Sequence, residues 1–316
     1  MPSSAVLTFS DPDDFASAVR GGSLKLTLTG RGEFAAQITR VNLLQLWTSN
    51  FSDSVPRVAH VTNMPGRAAL LFRTQPGPRL LVSGLEMQQT NLAWLSETHD
   101  ANQLSSGETS VGIMSLPVED MASAGATMAG YDLAPPRDTV SITPPPEAMA
   151  RLQRLHAAAG DLAKQTPEII ANPDAARGLE QVLIEAMVAC LAGGTVGEDR
   201  RALRQHSLIM RRFRTAVEES AEEPLYIPEL CAAIGVPDRT LRVCCQEQLG
   251  MSPKRYLLLR RMHLARKALR DAFSGTTTVT EIATRYGFWQ FGRFAGEYKT
   301  LFGEAPSTTL HRPHWQ

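Results

Sequence analysis

An internal repeat in the C-terminal third constrains the fold of this chain more than any other feature. The segment Glu229–Pro237 is followed 52 residues later by a similar segment, Glu281–Trp289, with Gly235 and Gly287 at equivalent positions. Apolar residues match on both sides of these glycines. A repeated element of this length, with fixed apolar positions, predicts two copies of one supersecondary unit.

Each copy has the parts of a helix-turn-helix unit, in which a short helix, a turn and a second helix follow one another. The short helix is expected to end at Gly235 or Gly287, because glycine readily adopts the positive φ of a tight helix exit. Beyond the turn the offset becomes 53 residues, so that Leu241 corresponds to Phe294. The alternative is a four-helix packing module without a role in DNA binding.

The charge of the chain is divided unevenly along its length. The formal net charge is zero, but residues 201–316 carry 18 Lys and Arg against 11 Asp and Glu, a net charge of +7. The first 200 residues therefore carry a net charge of −7. This asymmetry indicates that the C-terminal part is the one that meets a polyanion such as duplex DNA.

Residues 207–312 resemble the DNA-binding domain of the AraC/XylS family of bacterial transcription regulators. The resemblance covers about a third of the chain and implies a regulator, more commonly an activator, that contacts RNA polymerase. Residues 287–294 are also reminiscent of the ethanolamine-operon type of regulator. The matching residues are Glu281, Ile282, Ala283, Thr284, Arg285, Tyr286, Gly287, Phe288, Phe294, Tyr298, Lys299, Phe302, Gly303 and Pro306 in the second unit, and Gly250, Met251, Ser252, Pro253, Tyr256, Arg261, Met262, Ala265 and Leu269 in the first.

The helical spacing predicts which side chains face DNA. In the first recognition helix Leu241 and Cys245 face inward, so their polar neighbours point outward, and arginine is the side chain that most often grips guanine in the major groove. A helix from about Pro253 to Leu269 is expected to join the two units. The predicted DNA-contact residues are Asp238, Arg239, Thr240, Arg242, Gln246, Lys254, Gln290, Arg293 and Lys299. Among them Arg239 and Arg242 are expected on bases, and Thr240, Gln246, Lys254 and Lys299 on phosphates.

The second recognition helix has small outward residues, Gly292, Ala295 and Gly296, and is expected to discriminate sequence weakly. Trp289 and Phe291 either pack between helices or touch thymine methyl groups. Further basic residues that are candidates for phosphate contacts on the connecting helix are Arg255, Arg260 and Arg266.

The N-terminal part predicts short β-strands. Leu24, Leu26 and Leu28 alternate with polar residues, as in a half-buried strand, and similar runs follow to about Thr143. Many short strands separated by Gly and Pro turns are typical of a sandwich or barrel. The expected fold class is therefore α+β, with a β-rich, sandwich or cupin-like sensor domain at residues 1–143 and an all-α double helix-turn-helix domain at residues 207–316.

Two apolar-faced helices are predicted after the Pro144–Pro146 run. One face carries Met149, Leu152 and Leu162, and the second helix carries Leu183 and Cys190 at helical spacing. These helices, within residues 144–192, either pair with a second subunit or cover the β domain. Residues 193–206, rich in glycine at the start, are the expected linker.

Several kinds of site are not expected. The β region has two histidines, His60 and His99, without an H-x-H pair, and the chain lacks phosphate-loop and nucleophile-elbow motifs, so neither a metal, a cofactor nor an enzyme is predicted. Thiol sensing by the adjacent Cys244 and Cys245 is a minor alternative. No signal pattern or membrane-length apolar run is present, which favours a cytoplasmic location.

Two regulatory roles remain open for the β domain. It either binds a small-molecule effector that biases DNA binding or polymerase contact, or serves only as a dimerisation or protein-docking module. Family resemblance and the cavity of a β-sandwich favour the effector role. The candidate ligand-binding residues are Trp47, Arg57, His60 and Trp94.

Overall fold

The computed structural model describes residues 1–20, 22–96, 100–197, 201–220, 225–272 and 277–311. Its N-terminal part contains two antiparallel sheets, with eight strands in the order β1-β3-β4-β11-β6-β9-β12-β13 and five in the order β2-β5-β10-β7-β8. The strands are β1 (Ser3–Phe9), β2 (Gly22–Leu28), β3 (Ala36–Asn42), β4 (Trp47–Asp53), β5 (Arg57–Asn63), β6 (Arg67–Arg73), β7 (Leu80–Val82), β8 (Leu85–Glu86), β9 (Leu92–Trp94), β10 (Asp100–Ser105), β11 (Thr109–Pro117), β12 (Val140–Thr143) and β13 (Thr195–Val196).

Alternation along the strands divides each sheet into two faces, because successive side chains of a strand point to opposite sides. In β11, Val111, Ile113 and Ser115 line a cavity shared with the smaller sheet, whereas Met114 and Leu116 belong to a core on the opposite side. The larger sheet therefore separates an internal cavity from a layer of helices.

Four helices lie between β11 and β13 in the described chain: α2 (Val118–Ala129), α3 (Pro146–Gln165), α4 (Pro167–Ala171) and α5 (Pro173–Ala192). Their apolar faces bury Leu152, Leu183 and Met187 against the larger sheet. A Cβ at Gly112 would lie 2.7 Å from the Phe72 ring on the neighbouring strand and 3.0 Å from Cε1 of His156 on α3, so α3 packs closely on the sheet at this glycine. This arrangement favours the alternative in which the two predicted helices cover the β domain.

The N-terminal part also contains elements that the sequence patterns did not predict. These are strand β1, the short helix α1 (Pro12–Ser17) and helix α2. The segment expected as a linker is partly regular, since Thr195–Val196 pairs with β12 and the next helix, α6, begins at Arg201.

The C-terminal part is all-helical and contains both predicted helix-turn-helix units. Gly235 and Gly287 both have φ of 75°, the left-handed conformation expected at the turns. Leu241 and Phe294 are buried at equivalent places in the two units. The helices are α6 (Arg201–Glu219), α7 (Ile227–Ile234), α8 (Asp238–Leu249), α9 (Pro253–Asp271), α10 (Val279–Arg285), α11 (Phe291–Phe302) and α12 (Pro306–Leu310).

Local capping fixes where the helices of the repeat begin. Ser252 caps α9, with its Oγ accepting from the Arg255 N–H, and Pro253 occupies the first turn, where its missing N–H costs nothing. Thr278 and Glu281 form a capping box at the start of α10. The predicted connecting helix is thereby confirmed, and it extends two residues beyond Leu269.

The outer face of the five-stranded sheet packs against the C-terminal helices. Val58 shares a core with Phe213 and Leu241, and the partly buried Leu104 packs against it. Nε2 of His263, on α9, accepts a hydrogen bond of 2.8 Å from the backbone N–H of Leu28. The β domain and the helix-turn-helix domain thus form a continuous packed structure.

A cluster of ion pairs also connects the β domain to helix α9. Asp11 and Asp13 bind Arg266 at 2.5 Å each, and Arg270 binds Asp11, Asp13 and Asp14. The Asp11 and Arg266 side chains are 8% and 5% exposed. Burial alone raises the pKa of the Asp11 carboxyl, but the two guanidinium groups hold it below its usual value. The expected phosphate contact of Arg266 is wrong for this arrangement, because its side chain is buried against α1.

Within the described part of the chain, no helix has the length and apolar character needed to span a bilayer.

We predict that Gly235→Ala lowers the free energy of unfolding by about 1–2 kcal/mol, because a Cβ disfavours the left-handed conformation. The urea concentration at the midpoint of unfolding should fall accordingly. Gly296→Ala is the control, since this helical glycine has open space around its Cβ position. It should leave the midpoint unchanged or raise it slightly. Equal midpoints for the two variants by circular dichroism would contradict the assignment of the turn.

We also predict that acidification destabilises the contact between α9 and the β domain, because the His263 side chain lies buried in it. Burial lowers the pKa of His263 to about 3, below the unfolded value of about 6.5. The unfolded chain therefore binds a proton that the folded chain excludes, so stability is lost as the pH falls from about 6.5 towards 3.

His263→Gln keeps an acceptor for Leu28 but does not titrate, and its urea midpoint should fall less between pH 7 and 4.5. His311→Gln, at an exposed position, should behave like the unaltered chain; the same pH dependence in both variants would exclude His263 as the titrating group.

Candidate DNA-binding surface

The outward face of α8 presents most of the predicted DNA-contact residues of the first unit. Arg239, Arg242 and Gln246 are exposed, Thr240 is half-buried, and Asp238 lies in the first turn. Leu241 and Cys245 are buried beneath them. The helix therefore offers a polar face of the kind that enters a major groove.

The two arginines of α8 are held differently. Arg242 donates from Nε to both Asp238 carboxylate oxygens, at 2.9 and 3.0 Å, and the pair is exposed. An exposed ion pair one helical turn apart is weak, so DNA can replace it at little cost. Among the described residues, the Arg239 side chain has no hydrogen-bond or ion-pair partner. A contact between Arg239 and DNA would thus break no existing interaction, whereas a contact by Arg242 would replace its ion pair with Asp238.

A groove of about 550 Å³ lies between the start of α9 and the second recognition helix, α11. It brings together Lys254, Gln290 and Arg293, three residues that the sequence predicted separately. Arg293 is exposed and binds Glu297 at 2.9 Å through an equally exchangeable pair. The start of α9 adds backbone N–H groups and a partial positive charge. This groove is suited to a phosphate backbone.

Aromatic residues border the same groove. Trp289 is 74% exposed and Phe291 is 42% exposed, so packing between helices, one of the two hypotheses, is wrong for Trp289. Phe288 fills the interior instead, with its ring 4.8 Å from that of Phe294. Trp289 is therefore available to contact nucleotides.

Not every predicted contact belongs to this groove. Lys299 is exposed in the last turn of α11 and lies outside the groove wall. A Cβ at Gly292 or Gly296 would meet nothing within 4 Å, which leaves a smooth, open helix surface as expected.

Arg261 is a groove residue that the sequence analysis did not select for DNA contact. Its guanidinium carbon lies 5.2 Å from the centre of the Phe288 ring. Arg261 follows Lys254 by seven residues, two helical turns, and this spacing places both on one face. The helical spacing between Lys254 and Arg261 is therefore the sequence signal that marks Arg261 as a groove residue.

The candidate ligand-binding residues of the β domain are placed in three different environments. Trp47 and Arg57 line the cavity of about 340 Å³ between the two sheets. His60 lies on the outer face of the smaller sheet, 3.1 Å from Asp100, and burial lowers its pKa to about 4. Trp94 packs with the core under the helices. The sequence did not identify Arg40, which also lines the cavity.

Other chemical sites find little support among the described residues. No group of three or more His, Cys, Asp or Glu in that part of the chain is arranged to hold a metal ion. Cys244 and Cys245 are both buried, and burial is the main cause that raises the pKa of the Cys244 thiol to about 11. A buried, protonated thiol reacts slowly with oxidants, which disfavours thiol sensing.

Comparisons with known proteins concern the same region. Residues 230–312 match the helix-turn-helix domain family. The "Probable thc operon regulatory protein" of Rhodococcus erythropolis is 46% identical over 102 residues, which cover 32% of this chain and 31% of that protein. The "XylDLEGF operon transcriptional activator 1" of Pseudomonas putida is 34% identical over 96 residues, covering 30% of this chain and 29% of that protein.

A solved structure, that of a probable AraC family transcriptional regulator from Rhodopseudomonas palustris CGA009, is 34% identical, with a TM-score of 0.31; the match covers 33% of this chain and 98% of that one. The chain spans less than a third of the length of the two curated relatives. The similarity is therefore a property of the helix-turn-helix part.

We predict that Lys254→Ala makes the negative slope of the logarithm of the DNA-binding constant against the logarithm of salt concentration shallower by about one, because one phosphate contact is lost. The measurement uses a duplex of mixed sequence and a fluorescence-anisotropy titration. Arg177→Ala removes one exposed charge from α5 and should keep the original slope. An unchanged slope in Lys254→Ala would place this lysine away from DNA.

Proposed function

We propose that this chain is a sequence-specific transcription regulator of the AraC/XylS kind, not an enzyme, that binds duplex promoter DNA in the cytoplasm. The observation that carries the proposal is the pair of recognition helices, α8 and α11, whose outer sides are exposed and whose inner sides pack in equivalent ways on buried cores. The named roles of the relatives, regulation of an operon and activation of transcription, support an activator.

The length of α9 supports reading by a single chain. Its 19 residues span about 28 Å at 1.5 Å per residue. With the recognition helices at either end, the two units can reach major-groove segments one turn apart, about 34 Å. Arg239 and Arg242 are assigned to bases. Thr240, Gln246, Lys254 and Lys299 are assigned to phosphates, and Gln290 and Arg293 supply the weaker reading of the second unit.

We assign a sensor role to the β domain, as a cupin-like sandwich that holds a small-molecule effector. Support comes from the internal cavity and from α1, which borders it. Phe15 and the following Val19 and Arg20 form part of the cavity wall, while Asp11 and Asp13 hold Arg266 of α9. A ligand that displaces α1 would thereby shift the helix that joins the two DNA-reading units, which is a coupling between two sites.

The alternative role, a dimerisation or docking module without a ligand, makes no use of this cavity. Contact with RNA polymerase and formation of a homodimer remain part of the proposal for an activator. The ethanolamine-operon likeness of residues 287–294 stays a prediction.

The proposal is tested by genome-wide DNA occupancy of the tagged chain, compared with the Arg239→Ala/Arg242→Ala variant. We expect discrete peaks that share a motif and that disappear in this variant. Arg151→Ala/Arg154→Ala, which removes the same charge from α3, should keep them. Diffuse, salt-sensitive binding that ignores Arg239 and Arg242 would refute sequence-specific reading by α8.

A further inference from the structure

The cavity between the two sheets has an unusual distribution of charge. Four arginines, Arg20, Arg40, Arg57 and Arg67, contribute to its wall. Among the described residues that line it, none is an aspartate, a glutamate or a lysine. Guanidinium groups stay protonated under all ordinary conditions. The interior of the sensor domain therefore has a positive potential, although residues 1–200 together carry a net negative charge.

Two of these arginines are held by neighbouring groups, and of the two only Arg57 has a carboxylate partner among the described residues. Arg57 binds the fully buried Asp53, with Nε and Nη2 lying 2.9 and 2.8 Å from Oδ2. Arg67 donates to the Ser115 and Gln45 carbonyl oxygens and stacks on Trp47, with its guanidinium carbon 3.8 Å from the ring centre. These two groups are held rigidly by their neighbours.

The remaining donors lack an anion. Nη1 of Arg57 is buried and has no hydrogen-bond partner among the described residues. Arg40, a buried residue, donates from Nη2 to the Ala18 carbonyl oxygen at 2.8 Å, and no carboxylate of the described chain pairs with it. Burial and then the nearby Arg20 lower the pKa of Arg40. A buried charge without a counter-ion, as at Arg40, is costly. An anion supplied from outside would balance the Arg40 charge and would also accept from Nη1 of Arg57, whose own charge Asp53 already balances.

The rest of the wall is apolar and partly aromatic. Phe51, Trp47 and Met64, together with aliphatic residues of β2 and β11, surround the charged groups. The volume of about 340 Å³ lies at the lower end of the range for small-molecule sites. Flat aromatic side chains stack well on a flat ligand.

From these features we infer that the cavity binds a small organic carboxylate with a flat apolar body, whose oxygens contact Arg40 and Nη1 of Arg57. Guanidinium donors match the planar geometry of a carboxylate. The apolar body then lies against Trp47 and Phe51. This inference rests on the proposed sensor role, for which it names the chemical class of the effector.

The test is isothermal titration calorimetry on the full chain with two pairs of probes. Phenylacetate is compared with phenylacetamide, and indole-3-acetate with indole-3-acetamide, so that each acid has an uncharged analogue of nearly the same shape. We expect at least one acid to bind tenfold or more tightly than its amide. Arg40→Gln should remove this preference, whereas Arg40→Lys, which retains the charge, should keep part of it.

Other outcomes overturn the inference. Equal binding of acid and amide would show a neutral ligand site and leave the sensor role intact. Absence of binding by all four probes at millimolar concentration would reject this ligand class. The sensor role is then tested separately with the variant Ile113→Trp, whose larger side chain fills the cavity. Genome-wide DNA occupancy of this variant is compared with that of the unaltered chain, and identical occupancy would contradict the sensor role itself. Should Arg40→Gln fail to fold, the comparison of acids with amides on the unaltered chain still decides.

Discussion

The ion cluster between α1 and α9 fixes the relation between the two halves of the molecule. Asp11 serves two purposes, since its Oδ1 accepts from the Asp13 N–H at the start of α1 and its Oδ2 binds Arg266. Removing such groups from water is favourable only when each charge is matched. A single carboxylate thus caps the short helix beside the cavity and also binds α9, the connecting helix of the DNA-binding domain.

The same cluster changes the meaning of the charge split along the chain. Part of the excess positive charge after residue 200 does not face DNA, because Arg266 and Arg270 meet Asp11, Asp13 and Asp14. Opposite net charges on two domains of one chain favour their association as well as attraction of a polyanion. The +7 of the C-terminal part therefore overstates the charge available to phosphates.

The sequence was most informative where one period persists over many residues. The repeat, the connecting helix and the helices α3 and α5 were predicted because their apolar positions recur at helical spacing. Strand β1 was missed because its burial does not alternate, and α1 because six residues are too few to show a period. The exposure of Arg239 follows from its helix alone. Arg40 and Arg67 line one cavity only because β3 and β6 are joined in one sheet through β4 and β11, so local spacing could not place them together.

The unbroken helix α9 also limits how such a chain can change over generations. One residue inserted into it would rotate everything beyond by about 100° and advance it by 1.5 Å. Since α8 precedes α9 and α11 follows it, the two helices would no longer be oriented to enter successive major-groove segments together, as the proposed function requires. Under the proposed function, new target promoters would therefore be acquired by exchanging side chains on the outer faces of α8 and α11, while the length of α9 stays fixed.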